Sequence, residues 1–180
     1  MDGNSLHIHR ELSLNVLCHR IAGLCEEIIG VIKFLEEDLF VKTNGKNSSV
    51  GAHFRHIYER MECVILGLES GVIEYDSRKR DVNIETKPNI AIEKFQYMKS
   101  FFEKLDNINR DLLIIETAGI NAGKITLNSN FEREILYLID HTTHHLAVVK
   151  ILLEQFDVQL DSDLGKAAST IIYEKSQCAQ

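Results

Sequence analysis

The stretch FEREILYLIDHTTHHLAVVKILLEQF, residues 131–156, decides the expected fold. Phe131, Ile135, Leu138, Val149, Leu152 and Phe156 recur at helical intervals and define one apolar side. Asn130, or Ser129 before it, supplies an N-cap side chain, so the pattern reads as a helix running to about Phe156. At ~100° per residue, His145 falls within the apolar stripe, His141 at its edge and His144 farther toward solvent. His141 and His145 are four residues apart and stack on one face, the spacing at which two imidazoles chelate one ion.

Three more amphipathic stretches precede it. The first runs from about Glu11 to Val41, with Leu14, Leu17, Cys18, Ile21, Leu24, Cys25, Ile28 and Ile32 at three- and four-residue intervals, and Thr43-Asn44-Gly45-Lys46-Asn47 ends it as a turn. The second opens after Ser48 or Ser49 and reaches about Leu68, with Gly71 beyond its end. The third spans about Ile90 to Glu116 behind Pro88, carrying Ile92, Phe95, Met98, Phe102, Leu105 and Ile108. A shorter helix from Leu164 to Lys175 closes the chain. The connections 72–89 and 117–130 are long, and the second contains a turn at Ala118–Gly123 with a short hairpin around Lys124–Leu127. The expected fold is all-α: a single domain over residues 1–180, an up-and-down four-helix bundle with a short extra C-terminal helix.

Composition agrees with a globular, helix-rich chain. Hydrophobic residues make up 44% of the 180, charged residues 26%, and one proline leaves long helices uninterrupted. Twenty basic against 27 acidic side chains give a net charge of −7, which argues against a nucleic-acid partner, since phosphate binding needs a concentrated basic face. No apolar run approaches the roughly 20 residues of a membrane span, and the N-terminus lacks the basic start and apolar run of a secretory signal. Cys18, Cys25, Cys63 and Cys178 show no paired spacing; Cys18 and Cys25, seven apart, share a helix face. The expected compartment is a reducing cytoplasm.

The second helix carries Gly51-Ala52-His53-Phe54-Arg55-His56-Ile57, which puts two more histidines within one turn. The wheel sets His53 nearer the apolar stripe of Val50, Ile57, Met61 and Val64, and spacing alone leaves both His53 and His56 open as a third ligand. Neither His-Glu-x-x-His nor Glu-x-x-His occurs, so a metalloprotease helix and a ferritin-like di-iron site lose support. A hemerythrin-like oxygen carrier would need carboxylates in register, which are not found. What remains is a mononuclear three-histidine site with open positions, suited to zinc or nickel. The bland alternative is a set of hydrogen-bonded core histidines, with His7 and His9 exposed near the N-terminus.

Ser49-Val50-Gly51-Ala52-His53-Phe54-Arg55-His56-Ile57 together with His141-Thr142-Thr143-His144-His145 resembles the DinB-like superfamily, small four-helix bundles named after DNA-damage-inducible proteins. The resemblance implies a metal held by His56, directly before Ile57, and by His141 and His145. His53 and His144 are extra to that triad, as a further ligand, as hydrogen-bond partners behind it, or as solvated side chains. Leu146-Ala147-Val148 follows where some members have an arginine or glycine, so no arginine contact carries over there. Characterised members are often dimers and act as metal-dependent transferases or isomerases with bacillithiol, mycothiol or glutathione. The resemblance therefore implies a metal-dependent enzyme, a thiol S-transferase or a hydrolase, that activates a low-molecular-weight thiol or water against a small substrate, and a homodimer. The rival is a non-catalytic stress-response or binding module with a structural metal or none. Arg78 and Arg80, in Tyr75-Asp76-Ser77-Arg78-Lys79-Arg80-Asp81, can hold an anionic group, and Tyr137, one turn before His141, can donate a proton.

Overall fold

A computed structural model describes residues 3–178 except 44, 46, 47, 106, 107 and 109, with side chains from residue 14 to 177. In chain order the elements are α1 (Gly3–Phe34), α2 (Glu37–Val41), α3 (Val50–Ser70), β1 (Val72–Glu74), α4 (Val82–Thr86), α5 (Pro88–Glu103), β2 (Asp111–Thr117), β3 (Lys124–Asn130), α6 (Phe131–Glu154) and α7 (Ala168–Cys178). The long helices α1, α3, α5 and α6 enclose one core: α1 packs on α5 and α6, and α3 on α6 and α5. Ile21, Leu24 and Ile28 of α1 meet Phe54, Ile57 and Met61 of α3, Phe95 and Met98 of α5, and Ile135, Leu138 and Val149 of α6 in this core, all essentially inaccessible to solvent. Burying Leu, Ile, Phe or Met is worth roughly 1.5–3 kcal/mol each, which is why these stripes dictate the helix packing.

The all-α expectation is overturned by a three-stranded mixed sheet. β1 runs parallel to β2, with Ile73 opposite Ile114, and β2 pairs antiparallel with β3. The third helix was expected to reach Glu116 but ends at Glu103, and residues 111–117 are a strand. Leu112-Leu113-Ile114-Ile115 reads as apolar on a helical wheel, yet its burial alternates: Leu112 and Ile114 face the core while Leu113 is exposed. That period of two, with the β-branched isoleucines, is strand behaviour. β3 continues the hairpin expected near Lys124–Leu127 as far as Asn130; its turn is closed by Ala118 N–H donating to the Gly123 carbonyl at 3.0 Å, with Gly123 left-handed at φ 70°.

Other boundaries shift for local reasons. The first helix breaks at residues 35–36, leaving α2 as a separate turn that buries Phe40. Ser49 caps α3, its Oγ accepting from Ala52 N–H at 3.1 Å, and Gly71, left-handed at φ 80°, ends it. Asn130 caps α6 by accepting from Arg133 N–H at 2.9 Å, so the last residue of β3 is also the start of the histidine-bearing helix. The connection 72–89 holds β1 and α4. The C-terminal helix begins at Ala168 rather than Leu164, because Gly165 (φ 76°) turns the chain tightly over α6 at Ala147. The turn expected at residues 43–47 and the side chains of His7, His9 and Cys178 lie wholly or partly outside the described residues. Among the described residues, no helix is long and apolar enough to cross a membrane.

Candidate metal centre

The site is built where α3 and α6 lie side by side. Thr142, at the middle of the buried stripe of α6, is fully buried, so the ring-bearing positions on either side of it, His141 and His145, stand at the margin of the core. His144 is exposed. His141 Nε2 lies 3.1 Å from His56 Nε2, and His145 Nδ1 lies 3.0 Å from His53 Nδ1. The ring centroids of His56, His141 and His145 are 4.5–5.0 Å apart pairwise. One nitrogen from each of these three falls within 4.8 Å of the others, and the cluster contains no carboxylate. Pairing of 53 with 145 and 56 with 141 is the pattern of two antiparallel helices. It makes the third member of the cluster His56, with His53 one turn away behind His145.

The electrostatics keep these rings neutral. Burial, then the positive charge of Arg78 and the neighbouring rings, pushes His56 down to about 3. Burial and Arg60 bring His141 to about 4, and burial, with His141 and His53 beside it, brings His145 to about 3. His53 is lowered as well, first by burial and then by His144. A neutral imidazole offers a lone pair, which is the form a metal binds. Three imidazoles within this span fit one ion with nitrogen ligands near 2.0–2.1 Å.

Arg78 enters from the loop after β1. Tyr75 anchors one end of that loop in the core, and at the other Asp81 N–H donates to the buried carboxylate of Glu59 at 3.1 Å. Between these anchors Arg78 Nη1 donates to His56 Nδ1. Arg80 does not join it: it is exposed, with a left-handed backbone at φ 51°. Tyr137 does reach the site, its ring stacked on His141 with centroids 5.5 Å apart, and burial raises its hydroxyl pKa so that it holds its proton.

Two groups around the site escaped the sequence reading. Arg60, one turn after His56 on α3, lies with Cζ 4.6 Å from the Tyr75 ring centroid and 6.0 Å from that of Tyr137, and donates to Glu116 of β2 at 2.9 Å. Glu134, 6% exposed on α6, accepts from Tyr75 Oη and Ser129 Oγ, both at 2.5 Å. Tyr75, Glu116, Ser129, Glu134 and Tyr137 line a cleft of about 300 Å³ that adjoins His141 through the Tyr137 ring. The signal for Arg60 was its i, i+4 spacing from His56; Glu116 could not be placed because its segment read as helix. Burial raises the pKa of the Cys63 thiol, although it lies within reach of the Arg60 and Arg78 charges, whereas Cys18 and Cys25 stand apart from this chemistry. Burial pushes the Cys18 and Cys25 thiols up to about 11 and about 12, which suppresses the reactive thiolate.

No family model matches this sequence, and no solved structure matches it. Among curated proteins, FK506-binding protein 5 of Rhizopus delemar is 28% identical over 109 residues, covering 59% of this chain. The match spans 28% of that protein's length, so the chain corresponds to a minor part of it.

Proposed function

We propose that His56, His141 and His145 hold one divalent metal ion, zinc or nickel, and that the protein is a metal-dependent enzyme of the DinB-like type. The observation that carries this reading is the convergence of three neutral imidazoles from two helices, within 4.8 Å of one another and without a carboxylate. An ion bound there supplies a Lewis acid that lowers the pKa of a low-molecular-weight thiol or of water, for transfer to, or hydrolysis of, a small substrate. The chain's own groups then have defined tasks. His53 orients the His145 ring through its Nδ1, as groups behind a metal ligand do. Tyr137 keeps a proton beside His141 and can deliver it to a leaving group. The cleft beyond Tyr137 has room for a small molecule.

A second reading has one observation in its favour. The His53–His145 contact of 3.0 Å puts a fourth imidazole beside the triad. If His53 turned inward, four nitrogens would close the coordination shell and leave a structural metal in a non-catalytic binding or stress-response module. The DinB-like reading also implies a homodimer, checked by light scattering on the eluting protein. A reducing cytoplasm suits Cys18, Cys25 and Cys63, all free thiols.

Metal content per chain, measured by plasma mass spectrometry on protein without a histidine tag, tests both readings. About one zinc or nickel per chain, lost in the His141→Ala/His145→Ala double variant, is the expected result. No metal in either protein, even after incubation with zinc and nickel, removes the metal-dependent reading. X-ray absorption on the loaded protein separates the two: three nitrogen ligands plus exchangeable oxygen for an enzyme, four nitrogens for a structural site.

A further inference from the structure

We infer that Arg78 and the metal compete for His56, and that metal binding frees Arg78 to dock a carboxylate of the substrate. The inference rests on the metal reading above and deepens it by naming the substrate class.

Arg78 Nη1 donates to His56 Nδ1, so that nitrogen presents a lone pair and the proton of the neutral ring sits on Nε2. From there it is shared with His141 Nε2, 3.1 Å away. A metal bound through His56 Nε2 moves that proton to Nδ1, where an N–H then faces the N–H of the guanidinium. Two donors cannot bond, so Arg78 must leave. Ligation through Nδ1 instead displaces Arg78 directly. Either route makes the two partners mutually exclusive, with no change in the number of protons.

The released guanidinium keeps the Glu59 carboxylate near it, but that group is already engaged by Arg55 and by the Asp81 N–H. Among the described residues no carboxylate forms an ion pair with Arg78, while Arg55 is paired with Glu59 and Glu85 and Arg60 with Glu116. The Nε of Arg78 is already buried without a hydrogen-bond partner. Its loop stays anchored by Tyr75 and by the Asp81–Glu59 hydrogen bond, so the side chain can swing while the backbone stays beside the metal. A planar fork of N–H donors next to a metal matches a planar carboxylate. Arg60 is held by Glu116 and the Tyr75 ring, so Arg78 is the guanidinium beside the metal site that can turn to an anion.

The test uses cobalt(II), whose visible absorption reports its ligands, and acetate as the probe anion. Metal-free wild type, Arg78→Gln, Arg78→Lys and Arg80→Gln are each titrated with cobalt(II) and then with acetate. Wild type is expected to take one cobalt(II) per chain and to show an acetate-dependent spectral change. Arg78→Gln should bind cobalt(II) at least as tightly, because a competitor is gone, and bind acetate about tenfold or more weakly, because a charge-assisted hydrogen bond is lost. Arg78→Lys should fall between, and Arg80→Gln, which removes the same charge from the exposed part of the loop, should stay within about twofold. Acetate affinity unchanged in Arg78→Gln, or weaker cobalt(II) binding in that variant, overturns the inference while leaving the metal site standing. Absence of cobalt(II) binding in wild type overturns both.

Discussion

Nδ1 of His53 lies 3.0 Å from Nδ1 of His145, so one of these nitrogens donates and the other accepts. With His145 serving as a ligand through its other nitrogen, its Nδ1 carries the proton and His53 is the acceptor that sets the ring's orientation. His53→Ala should therefore weaken metal affinity about 10- to 100-fold without abolishing stoichiometric binding. His56→Ala should abolish it. Competition against a chromophoric chelator measures both, and a larger loss in His53→Ala would assign the ligand role to His53.

His141→Ala and His145→Ala should each abolish one-to-one metal binding with far-ultraviolet circular dichroism almost unchanged. Both rings stand at the rim of the core, and the buried stripe of α6 from Phe131 to Leu153 is untouched by these changes. A variant with full occupancy removes that residue from the site.

The metal-free protein should lose stability as pH falls from about 6.5 toward 4. His56, His141 and His145 have native pKa values of about 3, about 4 and about 3, against an ordinary 6.5, because burial disfavours their charged forms. Their stabilising balance is complete above 6.5. Below it the unfolded chain takes up protons that the native rings refuse, and the balance is lost as pH approaches the native values. Urea midpoints at pH 7.5 and pH 5 should differ clearly in wild type and less in a variant with all three rings replaced by glutamine. Equal slopes in the two proteins would contradict this.

Gly51→Ala should destabilise the fold by about 1–3 kcal/mol through overpacking. A Cβ there would lie 1.9 Å from the Glu85 carbonyl oxygen and 2.7 Å from Phe40 Cε1, pressing α4 and α2 away from the first turn of α3. Thermal denaturation measures the loss. Since that turn carries His53, metal affinity should fall in parallel.

Tyr75→Phe removes the hydroxyl that donates to buried Glu134 at 2.5 Å and leaves Ser129 as a remaining donor. A cost of about 1.5–3 kcal/mol is expected for a hydrogen bond to a charged acceptor. Glu134→Gln, keeping the shape of the group, should cost less than Glu134→Leu, which leaves Tyr75 Oη and Ser129 Oγ unpaired. Chemical denaturation curves of the three variants give the order.

The helices that carry the site were legible because each buries one stripe. Phe131, Ile135, Leu138, Val149 and Leu152 are buried as their spacing indicates, and Ser49 and Asn130 cap α3 and α6. The sheet was not legible. Leu112-Leu113-Ile114-Ile115 satisfies a helical stripe and a strand equally well over four residues, and what selects the strand is its pairing with Val72–Glu74 and Lys124–Asn130, partners remote in sequence. A pattern within one segment carries no information about such a partner.

The pairing of His141 with His145 is a property of the sequence alone, because an i, i+4 relation on a helix needs nothing beyond the helix. The same holds for the apolar stripe that places both rings at the core margin. The choice of His56 over His53 as the third member was decided by tertiary structure: it depends on the antiparallel register of α3 against α6, which the packed side chains of both helices set together. The selection of Arg78 over Arg80 follows in the same way, from the Tyr75 and Glu59 anchors that aim one loop side chain at His56 and leave the other in solvent. Local spacing arises from covalent geometry and can be read along the chain. The meeting of two helices and a loop arises from burying their apolar faces at once, and only the folded chain fixes it.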